Sequence, residues 1–492
     1  METKTLYRTG YLVAYDAHRG SHVIHDGGEL VLEGDCVVHA GGPYTGTADR
    51  VVDARDCLVS PGFINAHALM DVSIFQFAFD RPRERGYHRP RSWLEAPGEP
   101  GVFDPGEIRR GARLAFLNLA RSGCTTIMGI TSMVFKRWDD PPWEPEIYLE
   151  VAVESGLRAY LSHHYRSRAP YTGASGGKEF LSDEARGMEG LRRCVEFIEK
   201  YDGSFGGRIR GALFPYTLDQ STPRLLQATA EAAEELDVPV RMHTAQSTGE
   251  IDFLLGEHGM GPVPFLDELG VLGPRWLLTH CLHIAGNHPG TDESDLSILR
   301  DRGVSVANCP WIYTFDGGYL DSFSRYGRAG VNMCIGTDTF PQDILREMRW
   351  AATASKIAEG RGDAGTAREV FDAVTVNAAR FLGREDIGRL CPGAKADVVM
   401  VDMERFSVGP VDDPIRALVY FATSADVKTV LVDGSPVVED FRSLRFDEGQ
   451  VVRSSRDVSS KIGDRLAAWR EPDGDPSSVF SSSYPRVRHR EG

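Results

Sequence analysis

Two rhythms of apolar and polar positions divide the chain. Up to about residue 58, short apolar runs at 6–15, 22–24, 30–32 and 36–39 are broken by Gly27-Gly28 and Gly41-Gly42, with no helical period. This predicts strands joined by turns. From Pro61 the rhythm changes. Eight short apolar runs follow, at 62–65, 125–130, 159–162, 209–213, 238–242, 276–279, 304–307 and 331–335. Amphipathic stretches such as 109–121, 145–154, 190–199, 223–236 and 296–302 separate them. Eight strands alternating with helices predict an α/β fold, a parallel (β/α)8 TIM barrel. The count of eight, and the polar residues closing the runs, favour this over an open doubly wound sheet. Strand-like runs then return at 397–401, 417–421, 429–432 and 437–438. They are too few to stand alone, so they are expected to pair with the N-terminal strands in a small β-sandwich. The expected domains are 1–60 and 385–455 for the sandwich, 61–384 for the barrel, and a Ser-, Pro- and Arg-rich tail at 456–492, flexible or at an oligomer contact.

Composition narrows the partners. A formal charge of −16 and a pI near 5.4 argue against nucleic acid and anionic membrane, which need a basic face. There is no apolar run of spanning length and no signal-peptide core at the N-terminus. The eight cysteines show no C-x-x-C pair, so reduced thiols and a cytoplasmic setting are expected.

In a barrel, chemistry collects where strands end and the following loops begin. Of the 14 histidines, five close a run: His67, His163, His164, His243 and His280. His283 follows His280 by three residues, Gln246 follows His243 by three, and the eighth run ends in Gly336-Thr337-Asp338. Several imidazoles and a carboxylate on one barrel face point to a metal or proton-transfer site.

The order of these residues resembles the amidohydrolase superfamily. Pro61 to His67, P-G-F-I-N-A-H, is similar to the family's opening P-G-x-[IV]-[DN]-x-H-x-H. Arg241 to Ser247 resembles its fifth-strand His motif, Leu278-Thr279-His280-Cys281 its sixth-strand His, and Ile335 to Thr339 its eighth-strand Asp. The stretch L-C-P-G-A-K-A-D-V-V-M-V-D at 390–402 and the strand Val430 to Gly434 resemble its return into the small domain. The likeness covers about 5–440, and is nearest the branch of cytosine and guanine deaminases, adenosylhomocysteine-type deaminases and triazine hydrolases. It implies one divalent metal, Zn or Fe, whose bound water becomes a nucleophile near neutral pH. It implies His67, His243 and Asp338 as ligands, Asp338 as proton acceptor and His280 as the residue holding the nucleophile. The expected activity is hydrolysis of a non-peptide C–N bond in a small nitrogen heterocycle, as in a deaminase. A homodimer acting on a small molecule is the expected assembly.

The chain departs from the motif twice. Leu69 stands where the second His of H-x-H would be, and a Leu cannot bind metal. His280 and His164 are the candidates to replace it as ligand. Gln246 stands where this branch carries Glu, and an amide is no general acid at neutral pH, though it can hold a heterocycle edge. Two alternatives therefore stay open: a metal-poor barrel with non-hydrolytic chemistry, and a non-catalytic binding homologue. Candidate substrate contacts are His164, Arg166, His283 and Trp311, with Arg168 and Tyr313 beside them. Arg166 and Arg168 equally suit surface ion pairs. The long aromatic segment 75–103, which includes Tyr87 and His88, reads as a lid or a dimer contact. Cys281, Cys309 and Cys334 read as small buried apolar residues.

Overall fold

The computed structural model describes residues 3–71, 90–96, 101, 103–133, 136–174, 176–287, 292–314, 317–318 and 320–467, with residues 484 and 487. All eight runs of the second rhythm are strands: β1 Phe63–Leu69, β2 Cys124–Ile130, β3 Arg158–Leu161, β4 Ile209–Gly211, β5 Val240–Thr244, β6 Trp276–His280, β7 Ser305–Asn308 and β8 Asn332–Ile335. β1 to β4 form one parallel ladder and β5 to β8 another. A parallel bridge from Leu213 to Val240 joins the two, and a second from Ala68 to Asp338 brings the exit of β8 beside β1.

Local chemistry explains the intervening helices. Pro105–Arg121 starts on a reciprocal cap in which Asp104 accepts from the Glu107 amide and Glu107 answers on the Asp104 amide; proline occupies the first turn. Pro223–Leu236 is capped by Thr222. Each buries an apolar stripe against the strands, in one core cluster that includes Phe63, Leu114, Phe116, Ile127, Val240, Leu278 and Ile335.

The two chain ends meet in one sheet of nine strands, eight of them along one hydrogen-bonded path and Ser21–Asp26 paired beside it on Lys4–Asp16. Lys4–Asp16 runs parallel to Arg50–Pro61, which pairs antiparallel with Val398–Asp402. Arg50–Pro61 is one continuous strand, though the glycine-punctuated pattern suggested only short ones. A second core of Leu12, Leu30, Leu32, Val59, Val398, Met400 and Leu431 lies on this sheet. A buried ion pair ties the sheet to the parallel strands. Arg158 on β3 meets Asp397 with two guanidinium nitrogens, at 2.7 and 3.0 Å, and also reaches Asp433.

Two expectations are corrected. The run at 417–421 lies in a helix, Pro414–Tyr420, because Asp413 caps the Ile415 and Arg416 amides and Pro414 opens the first turn. The expected tail boundary at 456 falls inside a helix, Glu448–Ala467. This helix meets the helix Pro105–Arg121 through an Arg121–Glu448 pair and a Ser455 hydroxyl bond to the Arg110 carbonyl. All eight cysteines are free thiols. No helix among the described residues is long and apolar enough to cross a membrane.

Candidate metal centre

β1, whose register with β2 shifts after Phe63 and again after Asn65, sets Asn65 and His67 against the end of β8, and the alternation of β5 pairs Arg241 with His243. β8 comes unusually close to β1. A Cβ on Gly336 would stand 2.5 Å from the His67 Cβ, so only glycine fits there. The approach is fastened by backbone bonds from Asp338 N to His67 O (2.9 Å) and from Leu69 N to Asp338 O. Asn65 accepts from the His67 amide and donates to Thr337, while the Gln342 side chain donates to the Leu69 and Asp338 carbonyls.

This construction gathers His67, His243, His280 and Asp338. One ligand-type atom from each lies within 4.8 Å of all the others, and all four residues are buried. The Asp338 Oδ2 stands 3.4 Å from His67 Nε2 and 3.5 Å from His280 Nε2. Donors at about 2.1 Å around a tetrahedral ion are about 3.4 Å apart, so the spacing fits a shared cation better than a direct hydrogen bond. The buried His67 Nε2 has no hydrogen-bond partner among the described residues. His243 Nδ1 lies 2.8 Å from the Tyr216 carbonyl, which leaves its Nε2 lone pair for the cluster.

Electrostatics favours the same use. Burial, helped by Arg241, holds His67 and His243 well below the ordinary imidazole range, and burial lowers His280 to about 3. Burial raises Asp338, against the pull of His280 and Arg241. Neutral imidazoles beside one carboxylate are a donor set for a borderline divalent cation. The backbone is strained at the same place: His280 (φ 82°), Asp338 (φ 59°) and Ala245 (φ 53°) are non-glycine residues in the left-handed region. Such conformations cost energy and collect at functional sites.

The other expected residues divide. Of the two candidates to replace the missing ligand, His280 joins the cluster and His164 does not. His164 lies between Thr131 and Arg241, with Nδ1 2.9 Å from the Thr131 hydroxyl and Nε2 2.7 Å from Arg241 Nη2. Arg166 is buried among protein acceptors, its nitrogens on the Trp138 and Arg137 carbonyls and the Gln220 amide, so it is not posed for substrate. Arg168 covers the Phe253 ring and pairs with Glu257. His163 faces Phe197 in the helix Glu184–Tyr201. Trp311 packs on Trp350 and under Arg346, and the Tyr313 ring meets the His280 ring edge-on, at 4.8 Å between centres. His283 and Gln246 are half-buried on the loops after β6 and β5. The Gln246 amide is held by Glu250, which also accepts from the Ala245 amide. Tyr87 and His88 lie outside the described residues. Trp93 packs against the Leu94–Trp138–Ala169 cluster.

Sequence reading passed over Arg241, a charged residue in an apolar run, sharing a face with His243. It also passed over Asn65, Gln342 and Glu250, whose roles as fasteners depend on partners far away in the chain.

Comparison with known proteins agrees with this geometry. The amidohydrolase family model matches residues 58–437. The chain belongs to the amidohydrolase family. It is 30% identical over 445 residues to the 5-methylthioadenosine/S-adenosylhomocysteine deaminase of Natronomonas pharaonis, covering 89% of this chain and 92% of that one. Among solved structures it shares the fold of a zinc-bound adenosine deaminase from Xanthomonas campestris, with a TM-score of 0.77 and 23% identity over 93% of this chain and 98% of that one. It also shares the fold of the zinc complex of atrazine chlorohydrolase from Arthrobacter aurescens, with a TM-score of 0.76 and 21% identity over 92% and 100% of the two chains. This amidohydrolase is a hydrolase of non-peptide C–N bonds.

Proposed function

We propose that this amidohydrolase deaminates an adenosine-type nucleoside, with one divalent metal ion held by His67, His243, His280 and Asp338. The observation that carries the reading is the convergence of those four buried ligand atoms within 4.8 Å. Relatives named as deaminases of adenosine derivatives supply the substrate class. Zinc is the ion favoured, since the zinc-bound structures share this fold. The scaffold is read as a closed (β/α)8 barrel spanning 61–384, supported by the bridges that join β4 to β5 and β8 to β1. The nine-stranded sheet is read as folded over its own core into a sandwich of residues 1–60 and 385–455.

A bound divalent ion supplies a polarised water as nucleophile near neutral pH. The chain's own groups do the rest. The Asp338 carboxylate lies against His67 and His280 through Oδ2, so its other oxygen is the one to accept a proton and return it to the departing amine. His280 borders the reacting position and is backed by the Tyr313 ring. Gln246, which cannot give up a proton, serves to orient the heterocycle edge. His283, on the neighbouring loop, is the second candidate substrate contact. Leu69 adds an apolar wall where the family motif has an imidazole. We also propose a homodimer in the cytoplasm: the eight free thiols suit a reducing compartment, and symmetric dimers are the commonest oligomers.

The test is ammonia release from adenosine, 5-methylthioadenosine and S-adenosylhomocysteine, with elemental analysis of the same preparation. The expected result is one metal ion per chain and turnover that Asp338→Asn lowers by about 10²–10⁴-fold with the fold retained. Metal-loaded protein that releases no ammonia from any of them overturns the substrate class, and full activity in Asp338→Asn overturns the role of that carboxylate.

A further inference from the structure

Beneath the ligand set, β5 turns a second side chain inward. Arg241 is fully buried and makes no ion pair among the described residues. Its Nη1 lies 3.1 Å from His243 Nδ1, whose proton goes to the Tyr216 carbonyl, so that contact sets a positive charge against the ring without a hydrogen bond; its Nη2 lies 2.7 Å from His164 Nε2, and its Nε has no hydrogen-bond partner among the described residues. A guanidinium only donates. His164 Nε2 must therefore accept, which puts the proton on Nδ1, where it is donated to the Thr131 hydroxyl at 2.9 Å. Thr131 in turn donates to Asp140 Oδ1 at 2.8 Å, and the His164 amide donates to Asp140 Oδ2 at 2.7 Å. Every donor in this chain points the same way, from a cation to a carboxylate through two neutral side chains.

Asp140 belongs to a buried cluster. Lys136 Nζ lies 2.7 Å from Asp140, 2.7 Å from Glu144 and 3.5 Å from Asp71, and all four side chains are shielded from solvent. Tyr148 donates to the same Glu144 oxygen that Lys136 meets, which leaves the other oxygen for a proton. With that proton in place, two carboxylates face one ammonium. The cluster then carries one excess negative charge, and Arg241 carries the positive charge that matches it.

We propose that Arg241 is a fixed cation set against the ligand cluster, balanced at a distance by Asp140 through His164 and Thr131, and that this arrangement sets how tightly the site holds a divalent cation. The proposal rests on the metal reading above. Like charges repel strongly in a buried, low-dielectric site, so the guanidinium weakens the hold on a cation. The Asp140 charge offsets part of that repulsion.

The experiment is Zn²⁺ binding by chelator competition on the full chain stripped of metal, in wild type, Arg241→Met, Asp140→Asn and the double variant. Arg241→Met is expected to bind Zn²⁺ about tenfold or more tightly than wild type. Asp140→Asn is expected to bind several-fold more weakly, and the double variant to match Arg241→Met. Folded Arg241→Met with equal or weaker affinity overturns the role of Arg241. An Asp140→Asn effect that persists undiminished in the double variant overturns the relay. Nitrogen-15 NMR of the histidines gives a reading that needs neither metal nor variant stability: His164 is expected as the neutral Nδ1–H tautomer, and the Nε2–H tautomer refutes the chain of donors. Wild type that takes up no Zn²⁺ overturns the metal reading itself, a result distinct from binding that Arg241→Met leaves unchanged.

Discussion

Gly336→Ala isolates the contact on which the site depends. Gly336 has an ordinary backbone conformation, so alanine brings no torsional penalty and the effect is steric. The added Cβ would lie 2.5 Å from the His67 Cβ, 2.7 Å from its carbonyl oxygen and 2.9 Å from its amide nitrogen. Unstrained carbon contacts need about 3.5 Å, so β8 must move about 1 Å away from β1. Backbone on both sides prevents a side chain from absorbing the shift. Overpacking of this kind costs about 1–3 kcal/mol. For a chain of 492 residues, with an unfolding entropy of about 2.1 cal/mol/K per residue, that amounts to a melting shift of only about 1–3 °C. Metal retention is the sharper readout. His67 Nε2 and Asp338 Oδ2 are 3.4 Å apart, on opposite sides of the contact being forced open. Ligand distances tolerate only about 0.2 Å. The expected outcome is a folded protein with a slightly lower melting temperature that loses its metal to a chelator which wild type resists. Unchanged metal retention, with an unchanged melting temperature, would refute the claim that this glycine sets the ligand geometry.

Three further outcomes follow from the structure. Asp397→Asn breaks the two-pronged buried bond to Arg158 and should cost about 3–5 kcal/mol in chemical denaturation, whereas replacing both partners with apolar residues should cost less; equal losses would refute the charge argument. Burial raises Glu144 to about 8, above its unfolded value of 4.5, so the folded chain binds the extra proton and this contribution to stability is full below pH 4.5 and lost as pH rises through 8. Glu144→Gln, which mimics the protonated form, should flatten the stability–pH curve across that window, and an unchanged slope there would remove Glu144 as its cause. His280→Gln should lose metal while His164→Gln, which still offers Arg241 an acceptor, keeps it; the reverse pattern would exchange their roles.

Much of this protein was written into its one-dimensional pattern. The eight parallel strands matched the eight apolar runs because a strand buried on both faces must be apolar along its length. The closing polar residues marked His67, His243, His280 and Asp338, since loops at strand ends are where such side chains can converge. Local signals that were present but outweighed by hydrophobicity explain the misread run at 417–421, most of which lies in a helix started by Asp413 and Pro414. Tertiary structure alone decided which histidine completes the ligand set. His164 and His280 both close a strand, and only the path of neighbouring strands puts one beside Asp338 and the other on Thr131 and Arg241. It alone decided that Arg166 is consumed by carbonyls, and that Lys136 gathers Asp71, Asp140 and Glu144. The physical reason is range. Burial and periodicity act on neighbours along the chain and leave a trace in sequence, whereas a buried charge is governed by whichever distant group the fold brings within a few ångströms.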